Sequence, residues 1–245
     1  MKTILNIKNL SKEFGDLTAV KNLSLKVNQG EIFSIIGPNG SGKTTIIKII
    51  VGLLKATEGK VYVDKSDVEK SPVKAKAKTG YIPDEPSVWN QLTGEEFLHL
   101  VGTLYNIDEE KRKKRIKKLL QIYDLAGIET GYFQNYSRGN KQKFTILAAL
   151  LHKPKLLVID EPVVGLDPKS IATTKKELQK YAGNTGTIFM ATHVLSVAQD
   201  IATKIGVLKE GKLIEVGNFQ ELRKKAKLSE KTTLEDVYLK LTEGK

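Results

Sequence analysis

The stretch GPNGSGKTT, Gly37 to Thr45, fits the pattern G-x-x-x-x-G-K-[ST], and each fixed position in it has a chemical task. Gly37, Gly40 and Gly42, with Pro38, Asn39 and Ser41 between them, let the backbone wrap closely around a phosphate chain so that successive N–H groups face the anion. Lys43 then reaches the β- and γ-phosphates and Thr44 offers its hydroxyl to Mg²⁺. Thr45 carries the chain into a helix whose N-terminus adds a positive field. The pattern predicts a nucleoside triphosphate site.

Two acids end a later apolar run. In LLVIDEP, Leu156 to Pro162, Asp160 and Glu161 are adjacent. Neighbouring strand residues point to opposite sides, so Asp160 is expected to face the metal and Glu161 an attacking water, as its general base. In MATH, His193 closes another run, where a neutral imidazole can bond the γ-phosphate or the water. By itself an acid pair before a proline is a solvated strand end and a lone histidine is structural. The phosphate loop upstream gives them a reaction, with Lys43, Glu161 and His193 as the catalytic set.

These residues need a scaffold that brings strand ends together. Strand-like runs lie at 31–36, 59–63, 155–160 and 187–192, and most are followed by helical patterns. Strand then helix, repeated, predicts an α/β fold with a mainly parallel sheet. Runs such as LLVI lack alternation, as strands buried on both faces do. Ligands of such sheets gather at the carboxyl ends of the strands. Between Pro83 and Pro154 helical patterns dominate. We therefore expect a core of residues 1–82 and 154–222, an inserted helical subdomain of 83–153, and a charged helical appendage of 223–245.

The 245 residues contain no cysteine, which excludes disulfides and thiolate metal sites. No apolar run reaches the roughly 18 residues of a membrane span, and the start, MKTILNIKNLSKEF, lacks the apolar stretch of a signal peptide. A cytoplasmic location is the expectation. The net charge of +12 favours polyanionic partners without choosing among them. Its densest cluster is KRKKRIKK, Lys111 to Lys118. It reads as the wet face of an amphipathic helix, because Ile116, Leu119, Leu120 and Tyr123 recur at helical spacing.

The phosphate loop, YSRGN, VIDEP, GLDP and ATH occur in that order, and together they resemble the nucleotide-binding subunit of an ATP-binding cassette (ABC) transporter over nearly the whole chain. The resemblance implies a RecA-like P-loop core with an N-terminal antiparallel β region and an inserted α-helical subdomain, and ATP with Mg²⁺ as ligands. It implies that Phe14 stacks on adenine. Asp84 stands where the family has a glutamine linking metal, water and membrane subunit, so a metal role for Asp84 is an expectation with a changed side chain. Ser137, Arg138, Gly139 and Asn140 match a signature usually written Leu-Ser-Gly-Gly-Gln, with Arg138 and Asn140 as departures. Ser137 also has the chemistry of a helix N-cap, and the two roles are compatible. Gly165, Leu166 and Asp167 match the loop that touches the facing subunit.

The resemblance further implies a head-to-tail dimer, with itself or a relative, in which each signature closes over the partner's phosphate loop. It implies an integral membrane permease of exporter type as second partner, a place at the inner face of the cell membrane, and no specific nucleic acid. A soluble cassette ATPase acting on ribosomes or nucleic acid is the alternative. A regulatory nucleotide binder is the third reading, which intact Lys43, Asp160, Glu161 and His193 oppose.

Overall fold

The computed structural model describes residues 1–161, 163–184 and 186–243. Pro162 of the acid-pair motif, and residues 244–245 of the expected terminal appendage, lie outside the described residues. A central sheet has the strand order β10-β9-β3-β8-β7-β6, made of β3 (Ile32–Ile36), β6 (Thr79–Ile82), β7 (Leu156–Asp160), β8 (Thr187–Thr192), β9 (Lys204–Lys209) and β10 (Lys212–Gly217). Its neighbours run parallel except for the β9–β10 hairpin.

The lack of alternation in these strands has a direct cause. Ile36, Leu157, Ile159, Ile188 and Met190 enter one apolar layer, while Phe33, Ile35, Leu156, Val158 and Phe189 enter the other. Each fully buried side chain of this kind contributes about 1.5–3 kcal/mol, so both faces must be covered. One cover is a four-stranded antiparallel sheet of order β2-β1-β4-β5, comprising β1 (Thr3–Phe14), β2 (Leu17–Asn28), β4 (Glu58–Val63) and β5 (Ser66–Asp67). Between the two sheets lies α1 (Lys43–Ile50), with Ile46, Ile47, Ile49 and Ile50 buried. The 59–63 run thus pairs antiparallel with β1 and not within the parallel sheet, because its apolar Val61 and Val63 alternate with Lys60 and Tyr62, a one-faced pattern.

The short α2 (Pro72–Lys76) leads into β6, and the segment from there to β7 holds α3 (Gly94–Leu104), α4 (Glu109–Ile122) and α5 (Arg138–Leu151). In α4 only Ile116 and Leu120 are buried, and the lysines of the KRKKRIKK run are exposed. After β7 come α6 (Pro168–Gly183), α7 (Leu195–Ile201), α8 (Phe219–Lys225) and α9 (Leu234–Thr242). The expected appendage boundary at 222/223 falls inside α8. Leu222, Leu234 and Val237 are buried in the main core, so the charged terminal helices are anchored by a narrow apolar stripe that the lysines around it hide in the sequence.

One polar junction ties this scaffold together. Asp64, only 8% exposed, faces Lys155 at 2.6 Å, Lys2 at 3.0 Å and Lys78 at 3.4 Å. Burial alone would raise its carboxyl, but Lys155 and Lys2 hold it well below the usual carboxylate range. A depressed pKa stabilises fully above the unfolded value of about 4, and the contribution is lost as the pH falls below it. Asp64→Asn is expected to cost about 2 kcal/mol at neutral pH and somewhat less near pH 3, where the folded-state carboxyl is still ionised and only part of the contribution has gone. Urea unfolding at both pH values checks this; an equal loss at both would contradict it.

Candidate active site

Four adjacent strands, β3, β8, β7 and β6, end on one edge of the central sheet. Their register pairs Ile36 with Thr192 and Asp160 with Ala191, so the ends lie level. The segments that leave them begin with Gly37, His193, Glu161 and Pro83. Topology therefore gathers the phosphate loop, the acid pair, the histidine and the approach to Asp84 from positions far apart in sequence.

Within the loop, Pro38, Asn39 and Gly40 form an exposed crest while Ser41 and Lys43 are buried beneath it. The Lys43 ammonium donates to the carbonyls of Gly37 at 2.8 Å and Pro38 at 3.0 Å, clamping the loop's first turn. Burial pushes the Lys43 pKa down, and the charges of Glu161 and Asp160 oppose that. Gly42 is the helix N-cap at φ 104°, and a Cβ there would stand 2.4 Å from the Ala19 carbonyl, so strain and space both require glycine. No side chain caps α1, which leaves its first N–H groups facing the crest.

Asp160 is the last residue of β7 and is 4% exposed. Burial raises its pKa; the Thr44 hydroxyl, which donates to its carboxylate, lowers it, and the charges of Glu161 and Asp84 raise it again. Glu161 does not continue the strand. It sits at φ 56°, and its backbone N–H donates to Ala191 at 2.9 Å. The two acids therefore diverge through a left-handed turn, in place of the strand alternation expected from the sequence. The Glu161 carboxylate accepts from the Thr192 hydroxyl at 2.9 Å and from the His193 backbone N–H at 3.0 Å, and His193 Nδ1 lies 2.8 Å away. The imidazole is otherwise half exposed.

Asp84 is exposed in the bend after β6. Its charge, together with that of Asp160, reinforces the effect of burial on Tyr81, whose hydroxyl is pushed up to about 12. Phe14 ends β1 and is 48% exposed, with the Lys12 ammonium 4.9 Å from its ring centroid. Among the described residues no group of three or more His, Asp or Glu gathers that could hold a metal unaided. A hydroxyl and one carboxylate at the mouth of a phosphate loop do suit Mg²⁺, which takes most of its oxygens from phosphate and water.

The signature residues lie elsewhere. Ser137 caps α5, accepting from the Asn140 N–H at 3.2 Å, and Ser137 and Arg138 are exposed. Tyr136 before them is stacked on Phe144 and donates to the Ile128 carbonyl, which fixes the entry to the helix. A Cβ on Gly139 would meet the Gly165 carbonyl at 2.8 Å, and Lys143 pairs with Asp167 at 3.5 Å. Asp167 caps α6 through Ser170, whose hydroxyl and backbone N–H hold the carboxyl down at about 2. Leu166 packs half-buried between them and the core. The signature and the GLD turn thus form one surface, and among the described residues no hydrogen bond or ion pair joins 137–140 to 37–45, 160–161 or 193.

Sequence reasoning missed Gln142. It is fully buried on α5, and its amide N–H donates to the Pro83 carbonyl at 3.3 Å while its own carbonyl finds no partner among the described residues. Its polarity inside an apolar helical run was the available signal. Gln142→Leu removes the tie and the unpaired acceptor together, so stability is expected to change by no more than about 1 kcal/mol. The loop should loosen, and Trp89, the sole tryptophan, should report it as reduced fluorescence anisotropy. Unchanged anisotropy would contradict the tie.

The fold agrees with that of known proteins. The ABC transporter family profile matches residues 20–164. The bacitracin transport ATP-binding protein of Enterococcus faecalis is 36% identical over 92% of this chain and 72% of its own length. The lantibiotic transport ATP-binding protein SrtF of Streptococcus pyogenes is 32% identical over 86% of this chain and 89% of its own. A solved ATP-binding subunit of an ABC transporter superposes with a TM-score of 0.94 at 29% identity, covering 98% of this chain and all of that one. A dimeric cassette in a post-hydrolysis state with ADP and Pi gives 0.80 at 29% identity, covering 88% and 98%. With the phosphate loop, the acid pair and the signature all placed on that fold, the chain belongs to the ABC transporter family as its ATP-binding, ATP-hydrolysing subunit.

Proposed function

We propose that two such subunits, copies or close relatives, pack head to tail and share two MgATP sites, and that their closure and release drive export through a separate membrane permease. The observation that carries the residue roles is the level row of strand ends, which sets Lys43, Asp160, Glu161 and His193 side by side. Lys43 and the N–H groups of residues 39–45 hold the β- and γ-phosphates, and an anion beside Lys43 opposes the effect of burial on its charge. Phe14 offers an exposed ring to adenine. Thr44 and Asp160, with Asp84 nearby, would hold Mg²⁺, which supplies neutralisation of phosphate charge.

Glu161 accepts the proton of a water that attacks the γ-phosphorus, and ADP leaves as the P–O bond breaks. His193 keeps the carboxylate in place through Nδ1–H; donating from Nε2 to the γ-phosphate as well would require the doubly protonated ring. Ser137, Arg138, Gly139 and Asn140 act on the nucleotide of the facing subunit, with Gly165, Leu166 and Asp167 at the same contact. The exposure of this surface, and its lack of bonds to the chain's own loop, support that reading.

The permease contact belongs beside Asp84. A groove of about 570 Å³ there is lined by Tyr81, Pro83, Phe97, Val101 and Tyr105, and Leu53 at its rim is 62% exposed. No described helix is long and apolar enough to cross a membrane. The kinship with bacitracin and lantibiotic transport subunits supports a transport role, with export as the proposed direction, and the location would be the inner face of the cell membrane. Purification of the native protein in detergent is expected to bring down a multi-spanning membrane protein. Recovery with ribosomes instead would overturn the transport reading.

A further inference from the structure

A second cleft, of about 520 Å³, opens at the opposite edge of the central sheet. Pro154 and Lys155, just before β7, and Gly186, just before β8, lie at its mouth. The length of β7 alone, at about 3.3 Å per residue, sets it roughly 15 Å from the acid pair. Its walls come from separate elements: Lys2 from the N-terminus, Arg115 and Lys118 from α4, Lys153 and Lys155 from the α5–β7 connection, and Lys180 from α6.

Six cations thus converge where the lining supplies one carboxylate, Glu177, 3.7 Å from Lys180. Asp64 serves both Lys2 and Lys155. Arg115 spends one N–H on the Leu151 carbonyl at 3.0 Å and keeps the others. Lys118 and Lys153 have no ion pair among the described residues. The floor is apolar: Leu119, Ile122 and Leu150 lie there beside Tyr181, whose ring is fixed by a 2.6 Å bond from its hydroxyl to the Pro154 carbonyl. Like charges drawn together repel, and an anion among them reverses the sign.

We propose that this cleft binds a ligand carrying a multiply charged phosphate group on an apolar body, independently of the nucleotide site. The cationic rim takes the phosphate and the Tyr181–Leu119–Ile122 floor takes the body, and the volume suits a single small molecule. Such a group belongs both to soluble pyrophosphate-type compounds and to anionic lipid headgroups. Because α4 forms one wall and α6 with the β7 approach the other, an occupant would bridge the helical segment and the sheet core.

The test uses the full chain carrying Lys43→Ala, which disables the nucleotide loop. Inorganic pyrophosphate is titrated by calorimetry, and vesicles of phosphatidic acid with phosphatidylcholine are used in a flotation assay. Binding to either probe is expected to weaken at least tenfold in Lys118→Glu/Lys153→Glu. It should change less than threefold in Lys74→Glu/Lys224→Glu, which removes the same net charge from exposed sites outside the cleft. Pyrophosphate binding assigns a soluble ligand and vesicle binding alone assigns a headgroup. The proposal is overturned if neither probe binds, if the cleft variant binds as tightly as its parent, or if both charge variants lose binding equally.

Discussion

Glu161→Gln is expected to lower steady ATP hydrolysis by 100-fold or more while leaving ATP affinity within a few-fold of the parent. A positioned general base contributes roughly 10²–10⁴ in rate, and an amide cannot take the proton. The substitution should not disturb the fold. Glutamine keeps the length of the side chain and one oxygen for the donors at Thr192 and His193, and it inherits the same left-handed backbone at φ 56°. The variant should also accumulate as an ATP-dependent dimer, because closure without hydrolysis has no exit. Undiminished turnover in a phosphate-release assay would remove Glu161 from its assigned role.

Lys43→Ala should act one step earlier, on binding. The ammonium is 7% exposed and organises the loop by bonds to two of its carbonyls. A charge-assisted bond to phosphate contributes about 1.5–3 kcal/mol, so ATP affinity is expected to fall roughly 10- to 150-fold, with hydrolysis lost in proportion. A fluorescent ATP analogue measures this directly. An unchanged dissociation constant would mean that the loop does not hold the phosphates.

The parts of the site carried by contiguous residues were legible in the sequence. The glycines and Lys43 announce a phosphate loop because their backbone demands are local, and uniform apolar runs announce central strands because both faces are covered. What depended on chain reversal was less legible. The run 59–63 went to the antiparallel sheet, since the choice of partner strand is made by the hairpin of β1 and β2, whose residues alternate weakly and whose register shifts at several points. Residues after Asp160 could not be placed by strand alternation, because a non-glycine residue in the left-handed region is stabilised only by the bonds Glu161 makes to β8 and His193. Gln142 escaped notice because its partner is a backbone carbonyl 59 residues away. The terminal helices hide Leu222, Ala226, Leu234 and Val237, all buried, among lysines, which is why charge alone suggested an appendage.

The central claim is that each ATP is held by two molecules, the loop of one and the Ser137 surface of the other. Complementation tests it most directly. A subunit with Ser137→Arg and another with Lys43→Ala should each be nearly inactive alone. When mixed in equal amounts, random pairing makes half the dimers mixed, and each of these has one whole composite site, so about a quarter of the normal number of sites returns. Recovery of hydrolysis on mixing is the predicted result. If the signature served its own subunit, neither partner would bring a whole site, and a mixture as inactive as its components would contradict the account.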